Sequence, residues 1–89
     1  MISRTTGRFR RAFAALPSEV QWRARSAYAL FRANPKHPGL RFKRVHATRA
    51  VYSVRVGLAY RALGMLEGET VIWFWIGTHA DYERLLEEL

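Results

Sequence analysis

The sequence predicts an α+β domain, in which an N-terminal helical hairpin packs on a roughly four-stranded antiparallel sheet followed by a short C-terminal helix. Three observations carry this reading. Apolar residues recur at helical spacing as far as Phe31. The apolar period becomes two after a Pro- and Gly-containing loop at residues 34–39. The run Val71-Ile72-Trp73-Phe74-Trp75-Ile76 is apolar on both faces, as a central strand is. A chain of 89 residues holds one domain, spanning residues 1–89.

The elements follow in order. Thr6 caps a first helix whose apolar positions are Phe9, Phe13 and Leu16. Pro17 ends it and suits the first turn of a second helix. That helix carries Val20, Ala24, Ala27, Tyr28 and Phe31 on one stripe and stops at Asn34-Pro35. Leu40 and Phe42 alternate with Arg41 and Lys43 in a first strand, and a turn follows near Ala47-Thr48. In the next strand Tyr52, Val54 and Val56 share one face, while Ser53, Arg55 and Gly57 point the other way, with Gly57 expected at a kink or bulge. Tyr60 to Leu66 forms a third strand, Glu67-Gly68-Glu69 a turn, and Thr70 to Ile76 the central strand, covered by the helices. Thr78 caps the last helix, with Asp81 at the third helical position. Helices on one face of the sheet leave the other face for arginines.

Composition narrows the function. There is no Cys, which excludes disulfides, thiolate metal sites and a Cys nucleophile. No apolar run approaches the ~20 residues that span a bilayer. Arg10-Arg11-Ala12-Phe13 resembles a twin-Arg export signal only faintly, because the apolar stretch after it meets Pro17. A cytoplasmic protein is expected. The charge is +8, with thirteen of fifteen basic residues Arg. Residues 1–61 hold fourteen bases against Glu19 alone, a net +13, whereas residues 62–89 hold Arg84 against six acids, a net −5. Arginine presents a fork matched to phosphate, so the basic part is expected to contact RNA, DNA or the ribosome.

No P-loop, GxSxG or HExxH is present, and the three His lack metal-ligand spacing, so neither a metal nor a cofactor is expected. Glu83, Glu87 and Glu88 read as a solvated helix face. The chemistry-bearing groups are cations, His and Tyr: Lys43, His46, Arg49, Arg55, Arg61, His79 and Tyr82. Gathered on one sheet face, such a set can cleave RNA. A base takes the 2′-OH proton, the oxygen attacks phosphorus, cations neutralise the equatorial oxygens, and an acid protonates the leaving 5′ oxygen. RNA brings its own nucleophile, so no metal is needed.

Several segments, taken in order, resemble the RelE/ParE toxin superfamily. They are Asn34-Pro35-Lys36-His37-Pro38, Leu40-Arg41-Phe42-Lys43, Tyr52-Ser53-Val54-Arg55-Val56 and Tyr60-Arg61-Ala62-Leu63. The segment Gly77-Thr78-His79-Ala80-Asp81 is similar to the Gly-(Ser/Thr)-His-(Ser/Ala)-acidic turn of YafQ-like members. The resemblance covers roughly residues 9–86. It implies the toxin of a type II toxin–antitoxin pair, with a cognate antitoxin, the ribosome and mRNA as partners. RelE-like members cleave mRNA in the ribosomal A site; ParE-like members poison DNA gyrase. The nuclease branch implies a catalytic role for His79, phosphate contact by Arg61, a cationic role for Arg55 and a catalytic place for Tyr82 near the C-terminal aromatic. By residue type alone Lys43 joins the catalytic set, and Arg41, Arg44, His46 and Arg49 are expected as RNA contacts, His46 and Arg49 having no secure family match. The general base is left open between these groups. A ParE-like gyrase inhibitor or an inactive basic binding domain is the alternative. Superfamily members begin with an apolar strand, but Met1 to Thr5 offers only Ile2, so that strand is expected to be short or missing.

Overall fold

A computed structural model describes all residues, 1–89. The chain opens with a strand, β1 (Ile2–Thr5), then two helices, α1 (Gly7–Ala14) and α2 (Ser18–Ala33). A turn of 3₁₀ helix at Pro38–Leu40 leads into β2 (Lys43–Arg44), β3 (Val51–Val56), β4 (Tyr60–Glu67) and β5 (Thr70–Thr78), and α3 (His79–Glu88) closes the chain. The α+β architecture is the expected one. The sheet has five strands in the order β1-β5-β4-β3-β2, antiparallel except for β1, which runs parallel to β5.

The first strand is therefore present. Its register places Ile2 beside Thr70 and Thr5 beside Trp73, and Trp73 Nε1 donates to Ser3 Oγ at 3.2 Å. Ile2 is 55% exposed. An edge strand held by backbone hydrogen bonds needs no apolar pattern, so it leaves little trace in sequence.

The hairpin forms as its caps dictate. Thr6 Oγ1 accepts the Phe9 N–H at 3.1 Å. Pro17 sits at the N-cap of α2, one position before the helix. Carbonyls at the end of α1 and in the joint are met by Gln21, whose amide Nε2 donates to Phe13 O at 3.1 Å, Ala14 O at 3.3 Å and Leu16 O at 3.3 Å. That side chain secures the short joint.

Two apolar clusters lie on opposite faces of the sheet. Under α1 and α2, Phe31, Val54, Val56, Ala62, Val71, Trp73 and Ile76 are buried together with Leu40. Phe31 meets Trp73 edge to face at a centroid distance of 5.4 Å and Phe42 at 5.0 Å. On the other face Val51, Leu63 and Tyr82 form the second cluster, flanked by Phe74, Trp75, Leu85 and Leu86. So α3 packs opposite the hairpin and covers part of the face expected to be open. β5 lies between β1 and β4, as a central strand should.

Two local expectations are corrected. Leu40 to Lys43 is not a full strand: Leu40 ends the 3₁₀ turn, Arg41 has φ 48°, and only Lys43 and Arg44 pair with β3. The apolar alternation there arises because Leu40, from the turn, and Phe42, from the link that follows it, both send a side chain into the same core. Gly57 is not a strand bulge but a turn residue between β3 and β4, with φ 65°. The irregularity lies in the pairing of β4 with β5. Leu63 pairs with Trp75 and Gly64 with Trp73, which leaves Phe74 as the extra residue. The bulge lets neighbouring Phe74 and Trp75 both reach the cluster beneath α3. No helix is long and apolar enough to cross a membrane.

Candidate nucleic-acid cleavage site

The register of β3 and β4 places Arg55 directly opposite Arg61. Alternation sends Ser53 to the same face as Arg55. At the open end of the sheet the left-handed turn at Arg41 brings Arg41 and Lys43 to the same place. From the far side, α3 supplies His79 from its first position and Tyr82 three residues on. These seven residues line one hollow of about 220 Å³.

Its electrostatics are one-sided. Arg41, Lys43, Arg55 and Arg61 line it with no carboxylate among the lining residues. The ion pairs of the molecule lie elsewhere, at Arg23–Glu19 and Arg84–Asp81, apart from His79–Glu83 at its rim. Like charges directly opposite on a sheet are destabilising. The guanidinium of Arg61 is pushed below its ordinary pKa, first by partial burial and then by Arg55 and Arg41, with Tyr82 acting in the other direction. It stays charged at neutral pH, as arginine does.

Backbone carbonyls aim the two arginines. Arg61 Nη1 donates to Tyr60 O at 2.8 Å, and Arg55 Nε donates to Gly57 O at 3.2 Å. Beside Arg61, on β5, stands Gly77, where a Cβ would fall 2.6 Å from Trp75 Cζ2. The indole of Trp75 thus packs over a position only glycine leaves open.

The His–Tyr side is built differently. Thr78 Oγ1 caps α3 by accepting the Asp81 N–H at 3.2 Å, which fixes the first turn and with it His79. The His79 and Tyr82 rings lie 5.8 Å apart, tilted by 37°. Tyr82 is only 7% exposed, and its hydroxyl donates to Ser53 Oγ at 3.4 Å. It belongs to the core under α3 and also lines the hollow.

Six of the nine expected residues therefore meet: Arg41, Lys43, Arg55, Arg61, His79 and Tyr82. Arg44, His46 and Arg49 do not. His46 organises the loop between β2 and β3, where Nδ1 accepts the N–H groups of Thr48 at 3.2 Å and Arg49 at 2.9 Å. Its Nε2 lies 2.8 Å from the Leu89 carbonyl, which ties the loop to the end of α3. Arg44 Nε donates to the carbonyls of His46 and Arg49 in that loop. Ser53 also lines the hollow, and its alternation with Arg55 along β3 is the signal for it in the sequence. No cluster of three or more His, Asp or Glu could hold a metal ion.

The ParE-like toxin domain family matches residues 18–84, about three quarters of the chain. The chain belongs to that family, within the RelE/ParE toxin superfamily. Among curated proteins none matches by sequence. The fold of this toxin domain is similar to that of YafQ from E. coli, with TM-score 0.72 and 12% identity over 90% of this chain and 94% of that one. It is similar to the RelB–RelE antitoxin–toxin complex of Methanococcus jannaschii, with TM-score 0.73, 16% identity and coverage of 92% and 96%. The isolated E. coli RelE toxin aligns at TM-score 0.67 and 14% identity, over 99% and 98% of the two chains.

Proposed function

We propose that this domain is the toxin of a type II toxin–antitoxin pair, acting in the cytoplasm as a ribosome-dependent, metal-independent mRNA endoribonuclease. The observation that carries the reading is the hollow, where four cations without carboxylate partners converge on one His. A phosphodiester in the hollow would neutralise the charges that the fold leaves opposed. Arg55 and Arg61 hold the non-bridging oxygens and stabilise the charge gained at phosphorus. His79 is the one imidazole among the lining groups, able both to accept and to donate a proton through its two ring nitrogens, so it takes the proton of the 2′-OH. The 2′ oxygen bonds to phosphorus as the bond to the 5′ oxygen breaks. Lys43, an ammonium donor, protonates that leaving oxygen, and a 2′,3′-cyclic phosphate remains. Tyr82 packs against His79 and is not exposed enough to stack on a base.

The basic surface of residues 1–61 suits ribosomal RNA. The antitoxin is a protein with an acidic or amphipathic segment. A groove of about 610 Å³ between the helical hairpin and the sheet, lined by Phe9, Phe13, Phe31 and Trp73 with Arg4 and Arg25 at hand, suits such a segment. The complex formed by the similar RelE of Methanococcus jannaschii supports a partner of this class.

Primer extension on a reporter mRNA in cell-free translation tests the reading. Breaks should require ribosomes and should be lost with His79→Ala or Arg61→Ala. Breaks that persist unchanged in both variants would remove the catalytic assignment. The ParE-like description of the family favours a second reading, a gyrase poison. In that case the wild-type protein would leave mRNA intact and trap cleaved DNA in a gyrase assay.

A further inference from the structure

Glu83 lies one turn beyond His79 on α3, with its Oε1 3.1 Å from His79 Nε2. It is outside the ring of residues that line the hollow. We propose that Glu83 is a positioning residue for His79: it holds the imidazole in its Nε2–H form, so that Nδ1 is the atom that accepts the substrate proton. This rests on the nuclease reading above and names the ring nitrogen that would accept the proton in it.

The argument begins with donor and acceptor roles. An ionised carboxylate only accepts hydrogen bonds, so the nitrogen facing Glu83 must carry a proton whether the ring is neutral or charged. In the neutral ring the lone pair then belongs to Nδ1. When Nδ1 takes the 2′-OH proton, the imidazolium keeps the same contact with Glu83. No ring rotation is needed between the two states. The Thr78 cap fixes the backbone of the first turn, and the Tyr82 ring 5.8 Å away supports the imidazole from the side. A His opposed by Arg55, Arg61, Arg41 and Lys43 in one hollow would otherwise have no negative neighbour when it charges. Of the acids on α3, Asp81 is engaged by Arg84, and Glu83 is the one paired with the ring. The pair is exposed, with side-chain accessibilities of 46% for His79 and 67% for Glu83, so its effect is modest and orientational.

Two variants and two readouts test this. Ring ¹⁵N shifts of His79, taken with the ring neutral, should show the Nε2–H tautomer in the wild type and in Glu83→Gln, whose amide oxygen still accepts. Glu83→Ala should give a mixture of tautomers. In the ribosome-dependent cleavage assay Glu83→Ala should lower kcat by about fivefold, the upper end for an exposed pair, with KM unchanged, and Glu83→Gln should recover part of the loss. An Nδ1–H tautomer in the wild type would overturn the proposal. So would His79-dependent cleavage at full rate in Glu83→Ala. Absence of cleavage by the wild type would instead count against the nuclease reading, and the ¹⁵N shifts would still decide the role of Glu83.

Discussion

The two faces of the sheet are built on opposite terms. Beneath α1 and α2 the face is a continuous apolar layer in which Phe31, Val71 and Trp73 are at most 6% exposed. Beneath α3 the layer is divided. Val51, Leu63 and Tyr82 fill one end, and the other end is left to Arg55, Arg61, Arg41 and Lys43 around a hollow. The first face gains stability from burial. The second accepts like charges directly across a strand pair, an arrangement that costs stability and is offset within the chain only by hydrogen bonds to backbone carbonyls at the adjoining turn. That cost at one end of one face is what the proposed function explains, since a bound phosphodiester would offset it.

The sharpest way to break this contrast is to change one residue on each face. His79→Ala should lower mRNA cleavage by roughly 10²–10⁴-fold while leaving the urea midpoint nearly unchanged. A large fall in stability would show that His79 serves the fold instead. Phe31→Ala on the opposite face should do the reverse and cost about 3–5 kcal/mol in urea unfolding, since the side chain is 2% exposed and touches two aromatic rings. A cost near zero there would mean that the apolar layer does not hold the domain together.

Thr78→Ala lies between the two cases. Loss of the cap should cost about 1 kcal/mol and should also reduce cleavage, because the first turn of α3 carries His79. If stability falls and cleavage does not, the turn does not position the imidazole. The smallest effect is the most diagnostic. Arg55→Leu removes one of two opposed guanidinium groups and should raise stability by roughly 0.2–1 kcal/mol while lowering activity. A destabilised Arg55→Leu variant would show that the hydrogen bond from Arg55 to Gly57 outweighs the repulsion.

Local rules were enough for most of the elements. The caps Thr6 and Thr78, the stop at Asn34-Pro35, the turn at Gly68 and the doubly apolar β5 are all decided within a few residues, and the sequence shows them directly. The edge strand β1 was hard to see because its partners are backbone groups of β5, about seventy residues away. The shortness of β2 was hidden because Leu40 is buried from a turn, and burial alone looks the same there as in a strand. For the site, the residue types could be read but not the selection among them. Nothing local separates Arg41, which lines the hollow, from Arg44, which braces a loop.

Charge, chemistry and periodicity are properties of the chain, and they already specified a basic, arginine-rich α+β domain. Which cations stand together, which His lines the hollow and which one ties a loop to α3, and that Glu83 faces an imidazole, depend on strand register and on the face chosen by the last helix. Those choices follow from where the bulge at Phe74 and the cap at Thr78 direct the chain, and they exist only once distant segments have packed.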